Sequence, residues 1–115
     1  MELTDEDMKR IWRRIQRSLV EDAINSDNSP DLTVYLVPNT PKDIVDVVIQ
    51  DLQKYTRQAE PFYLESMDKW GIGIIPKDRE AGKALLDYCD KNRHIGHLEV
   101  NMPTVPESAF ALEVR

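Results

Sequence analysis

Residues 61–75 read PFYLESMDKWGIGII: two β-rich runs, PFYLES and WGIGII, on either side of the short polar turn Met67-Asp68-Lys69. Runs of this kind joined by a few residues predict an antiparallel hairpin, and Pro76 closes the second run. Upstream, Thr40-Pro41-Lys42-Asp43 reads as a helix start. It offers a hydroxyl at the cap, a proline where a missing N–H costs nothing, and an acid in the first turn. The helix that follows is expected to bury Ile44, Val45, Val48, Ile49, Leu52 and Tyr55, with Lys54 and Arg57 at its negative end. Its many β-branched residues lower helix propensity, so packing must supply its stability. Before it, LTVYLV at 32–37 is a β-branched and aromatic strand ended by Pro38-Asn39. Downstream, a third helix over Asp78–Asn92 is expected to turn Ala81, Ala84, Leu85 and Tyr88 inward, with Cys89 beside them. HLEVN at 97–101 then alternates as a last strand. Residues 32–101 thus spell β-α-β-β-α-β.

Outside that unit, Thr4 and Asp7 form a capping-box-like helix start, with acids at 5, 6 and 7 suiting the positive end of the helix dipole. Met8, Ile11, Trp12, Ile15, Leu19 and Ala23 follow on one stripe at helical spacing, and the run NSDNSPD ends the helix near Asn25. The tail MPTVPESAFALEVR is expected to add a short strand or an apolar strap. The chain therefore reads as one domain: residues 1–27 a helix, 32–101 the core, 102–115 the tail.

With 115 residues, 41% hydrophobic and 31% charged, the composition is that of an ordinary folded domain. The net charge of −6 and pI near 4.9 disfavour a general polyanion binder, while leaving room for a local basic face. No stretch approaches the ~20 apolar residues of a membrane span, and the acidic start MELTDEDMKR lacks an apolar signal core. A single cysteine allows no internal disulfide. A cytoplasmic location is the resulting expectation.

The order β-α-β-β-α-β predicts an α+β, ferredoxin-like sandwich with strands in spatial order 4-1-3-2 and both helices of the unit on one face, extended by the N-terminal helix and the C-terminal tail. Trp70-Gly71-Ile72-Gly73-Ile74-Ile75 and Val34-Tyr35-Leu36 on the first strand resemble the two signature strands of an RNA-recognition motif, and Ala81-x-x-Ala84-Leu85 and Ile95-Gly96-x-Leu98-x-Val100 resemble its second helix and last strand. The resemblance covers about seventy residues, departing from the family at Trp70, where a basic residue is usual, and at Ile72 and Ile74, where two aromatics are. It implies that Tyr35, Trp70, Ile72 and Ile74 share the sheet's open face.

Such a face is apolar, because isoleucine offers bases no π-surface. It suits a protein partner or a second copy of the chain, unless the first helix covers it through Trp12 and Ile15. The leading expectation is therefore a non-catalytic, regulatory protein-interaction module, of which an acidic inhibitor is one form. The alternative is binding of RNA or single-stranded DNA by the sheet face and the basic side of the first helix, Lys9, Arg10, Arg13, Arg14 and Arg17. Helical pairs Asp5–Lys9, Glu6–Arg10 and Arg17–Glu21 are expected to neutralise part of that basic run. His94 and His97 read as surface histidines, since C-x4-H-x2-H matches no strong zinc spacing. Glu65 and Asp68 read as solvated turn acids, and Cys89 as a small buried hydrophobe. No catalytic set, metal site or cofactor motif is expected.

Overall fold

The computed structural model of the chain describes residues 2–26 and 30–101; the expected strand or strap in 102–115 lies outside them. The elements are α1 (Asp5–Ser26), β1 (Leu32–Leu36), α2 (Lys42–Gln53), β2 (Thr56–Leu64), a 3-10 turn at Glu65–Met67, β3 (Lys69–Pro76), α3 (Arg79–Lys91) and β4 (Ile95–Val100). Among the described residues the fold is α+β: three helices with one four-stranded antiparallel sheet in the order β2-β3-β1-β4, which is 4-1-3-2 read from the other edge. No helix among them is long and apolar enough to cross a membrane.

Pairing register decides which side chains reach the core. Val34 lies opposite Ile72 and Leu98, and Leu32 opposite Ile74 and Val100. Side chains alternate between faces, so these rows point one way. They meet Val45, Val48 and Leu52 of α2 and Leu85, Leu86 and Cys89 of α3 in one buried cluster. α1 joins that cluster only through Val20 and Ile24. Its C-terminal half closes against α3 at Gly82, where an added Cβ would stand 2.9 Å from the Ile24 side chain. The Arg17 guanidinium donates to both carboxylate oxygens of Asp90 on α3, at 2.7 and 3.2 Å.

Local expectations fare unevenly. Thr4 and Asp7 do form the reciprocal cap: the Asp7 amide donates to the Thr4 hydroxyl at 3.1 Å and the Thr4 amide to the Asp7 carboxylate at 3.2 Å. Thr40 does not cap α2. Pro41 holds the cap position, and the Thr40 hydroxyl donates instead to the Val37 carbonyl at 2.7 Å, fastening the β1–α2 loop. α2 ends at Gln53, and Arg57 belongs to β2, because the 56–60 stretch pairs with β3. α3 is rolled from its expected face: Gly82, Leu85, Leu86 and Cys89 are buried while Ala84 is exposed.

The largest correction concerns the sheet. Tyr35 pairs with Gly71, not with an isoleucine, and so shares a face with Gly71 and Gly73. Ile72 and Ile74 stand on the other face, 0% and 2% exposed, and Trp70 packs against the rim of the same core beneath Lys42. The four residues expected to share one surface are split, Tyr35 outside and three inside. A sheet packed by helices on one face needs its β-branched bulk there and can leave glycines on the other. Placing the motif one residue out of step inverts every side chain.

Nor does α1 cover the open face. Met8, Ile11, Trp12, Ile15 and Leu19 remain 40–58% exposed. The helix lies along β4, anchored by Val20 and Ile24, and carries most of its apolar stripe away from the body.

Candidate functional site

The open face of the sheet carries a row of rings. Phe62 on β2 lies opposite Gly71 on β3, Gly71 opposite Tyr35 on β1, and Tyr35 opposite His97 on β4. Gly71 is what lets the row close up, because the Phe62 ring lies over it, within 2.4 Å of where a Cβ would stand. Tyr35 and His97 stack with centroids 4.7 Å apart and planes 22° from parallel, and Phe62 meets Tyr35 edge-on at 6.2 Å. Trp12 of α1 extends the row by meeting His97 at 4.9 Å. The Lys69 ammonium sits 4.7 Å from the centre of the Tyr35 ring, a cation–π contact.

Two cavities flank the far end of this row. One, about 430 Å³, opens on the sheet face between Lys9, Trp12 and Arg13 of α1, Tyr35, His97, Met67 and Lys69. The other, about 730 Å³, is a groove between α1 and the α3–β4 turn, lined by Arg10, Arg13, Arg14 and Arg17 on one wall and Asp90, Lys91, Asn92, Arg93 and His97 on the other. Arg13, Gly96 and His97 line both, so the two cavities adjoin along one track.

The track is cationic on an acidic protein. Eight of the chain's fifteen lysines and arginines line it, against Glu21, Asp90 and Glu99 of its twenty-one acids. Glu21 and Asp90 are already taken by Arg17, at 2.8 and 2.7 Å, and the hydrogen bond to Asp90 foremost raises that guanidinium's pKa further. Lys91 pairs with Asp87 outside the groove. Among the described residues Arg10, Arg13, Arg14 and Arg93 make no ion pair, and the expected bridges Asp5–Lys9 and Glu6–Arg10 do not form; only Arg17–Glu21 does. Those four arginines therefore line the groove without an ion-pair partner among the described residues.

Of the five expected basic residues, Arg10, Arg13, Arg14 and Arg17 converge on the groove, while Lys9 borders the cavity on the sheet face. Sequence reasoning missed Phe62, Lys69, Arg93 and the role of His97. The signal for His97 was present in HLEV: with Leu98 inward, His97 and Glu99 face outward, beside Tyr35. His97 is half-buried, and burial first, with Lys69 and Arg13 adding to it, lowers its pKa below the ordinary histidine value despite the opposing Glu99. Its neutral ring is a flat stacking partner. Tyr35 is shifted the other way, its pKa raised chiefly by burial.

The remaining candidates stay apart from this track chemically. Cys89 lies at the wall of the groove but is buried, and desolvation pushes its thiol up to about 12, far from a reactive thiolate. Tyr88 beside it donates to Asp51 at 2.8 Å and accepts from Asn92 at 2.9 Å, tying α2 to the end of α3. Asp68, in a left-handed conformation at the hairpin turn, accepts from the Tyr63 hydroxyl. Compared with known proteins, the chain matches no protein-family model, no curated protein sequence and no solved structure.

Proposed function

We propose that this protein is a non-catalytic binding module for single-stranded nucleic acid, which lays bases on the aromatic row and its backbone along the arginine groove. The observation that carries the reading is the gathering of eight of fifteen basic residues, with three of twenty-one acids, at the end of a cross-sheet row of four rings. Splayed bases need flat surfaces to stack on, and phosphates need cations alongside; single-strand binders combine the two. A duplex cannot use the rings, so a single strand is the better fit. The β-α-β-β-α-β order and the all-antiparallel sheet support reading the core as a ferredoxin-like sandwich, on which the rings occupy the face without helices. Apart from Tyr35, they stand at other positions than a resemblance to RNA-recognition motifs suggested, and no argument rests on that family.

Lys69 has a specific part. Its ammonium covers the Tyr35 ring in the free protein, and an arriving base takes its place while a phosphate accepts the displaced charge. The protein-interaction reading loses the sheet face, since Ile72 and Ile74 are internal, and keeps only the outer side of α1.

The test is anisotropy of a labelled single-stranded oligonucleotide. At ~1–3 kcal/mol per stacked base, Tyr35→Ala should weaken binding roughly 5- to 150-fold without unfolding the sheet. Equal affinity of variant and parent, or no binding by the parent at low salt, contradicts the proposal.

A further inference from the structure

Beside the row of rings, one pairing step along the strands, a second row shares the same face: Glu60 on β2, Gly73 on β3, Thr33 on β1 and Glu99 on β4. Its middle is low. An added Cβ on Gly73 would meet, among the described residues, only the Glu60 carbonyl, at 3.8 Å. Thr33 is buried, and its hydroxyl donates to the Asn101 side chain at 2.7 Å. Glu60 is exposed to solvent at one end, whereas Glu99 at the other has a side chain only 29% exposed.

Glu99 stands diagonally across from Tyr35, within reach of a long side chain. Its carboxylate is near enough to the Tyr35 hydroxyl to add, after burial, to the rise in that group's pKa. It lies 3.5 Å from His97 Nε2, on a ring that burial keeps neutral at neutral pH, and among the described residues no lysine or arginine pairs with it. Among the described residues it is also the only acid lining the cavity on the sheet face. A carboxylate there repels every passing phosphate, unless the ligand brings donors to it. Guanine alone among the common bases carries two parallel donors, N1–H and N2–H, on its Watson–Crick edge, matched to the two oxygens of a carboxylate. Adenine and cytosine set a single amino group beside an acceptor, and thymine and uracil set one N–H between two carbonyl oxygens.

We infer that Glu99 is the specificity-determining residue of the sheet face: a guanine stacked on Tyr35 extends its edge over the low shelf and gives both donors to the Glu99 carboxylate. The inference rests on the single-strand reading and adds a base preference to it.

Anisotropy of three labelled strands tests it: a short thymine tract, the same tract with one central guanine, and the same tract with inosine in that place. Guanine should tighten binding by the parent roughly 5- to 150-fold over thymine, the range of a good two-bond base contact. Inosine, which keeps N1–H and lacks the N2 amino group, should lose most of that gain. Glu99→Gln keeps the size of the side chain and should keep the circular dichroism and melting of the parent, yet bind all three tracts alike. Glu60→Gln, at the solvated end of the row, should leave the preference as it was. A parent that binds the guanine and thymine tracts equally overturns this inference and leaves the single-strand reading standing. So does a Glu99→Gln variant that binds every tract tighter by one common factor, since its carboxylate then only repels phosphates. Binding of no tract at low salt overturns both.

Discussion

Replacing Arg10 and Arg14 together with glutamine probes the groove most quantitatively. Both guanidinium groups are exposed, line the groove and have no ion-pair partner among the described residues. Glutamine keeps most of their helix propensity, so stability should stay within about 0.5 kcal/mol of the parent. With Arg13 and Arg93 they make four arginines without an ion-pair partner among the described residues. If each of these and Lys69 meets one phosphate of a single strand, log K should fall with log salt at a slope of about −0.7 per contact, roughly −3.5 in all. Between about 50 and 200 mM salt the parent should then lose roughly 130-fold in affinity, and the double variant, with a slope of about −2.1, only roughly 18-fold. Anisotropy titrations of one oligonucleotide at four or five salt concentrations give both slopes. The same slope for both proteins would show that the groove cations do not meet phosphates, and the reasoning would fail whatever the affinities are.

Three further outcomes follow from single residues. Thr40→Ala should cost about 0.5–1.5 kcal/mol by leaving the Val37 carbonyl without its donor, lowering the melting temperature by several degrees, whereas Thr40→Ser should recover most of it. Cys89 should resist a thiol reagent in the native protein and react only on unfolding, because its thiol is buried and its pKa is pushed up to about 12; rapid native labelling would contradict its placement. His97 is protonated less readily folded than unfolded, so its contribution to stability is complete above the unfolded value of about 6.5 and declines as pH falls from there to the lower folded pKa. Lys69, Arg13 and Glu99 face it, and His97→Phe should flatten part of the acid-side fall in melting temperature; an unchanged profile would refute the assignment.

How far the fold was legible depended on whether a pattern had one physical solution or two. The alternation of β1 and the Pro-flanked runs of β3 have one, and both strands sit where the sequence puts them, as does the Thr4–Asp7 cap. The segment 54–60 has two: its lysine, glutamine and arginine suit a helix end, yet from Thr56 on hydrogen bonding to the neighbouring β3 draws it into β2, which no local propensity announces. WGIGII has two as well, since either its glycines or its isoleucines can face the helices. Core filling settles that in favour of the isoleucines, and the motif resemblance pointed the other way. On α1 the larger apolar stripe is not the buried one; Val20 and Ile24 are, because they face Gly82 and the sheet edge, which lie far away in sequence. The candidate site was half visible. The arginines of α1 stand in the sequence, but Arg93 and His97 reach them only when α3 and β4 fold back, held by the Arg17–Asp90 clasp across 73 residues.

The most direct test of the central claim is an amide chemical-shift map of the protein titrated with an unlabelled single-stranded oligonucleotide. The account predicts shifts that concentrate on Tyr35, Phe62, Lys69, Gly71 and His97 and along the groove at Arg13, Arg17 and Arg93, with the inner faces of α2 and α3 unmoved and a duplex of the same sequence giving far weaker effects. Shifts confined to the outer stripe of α1, or none at low salt, would contradict it.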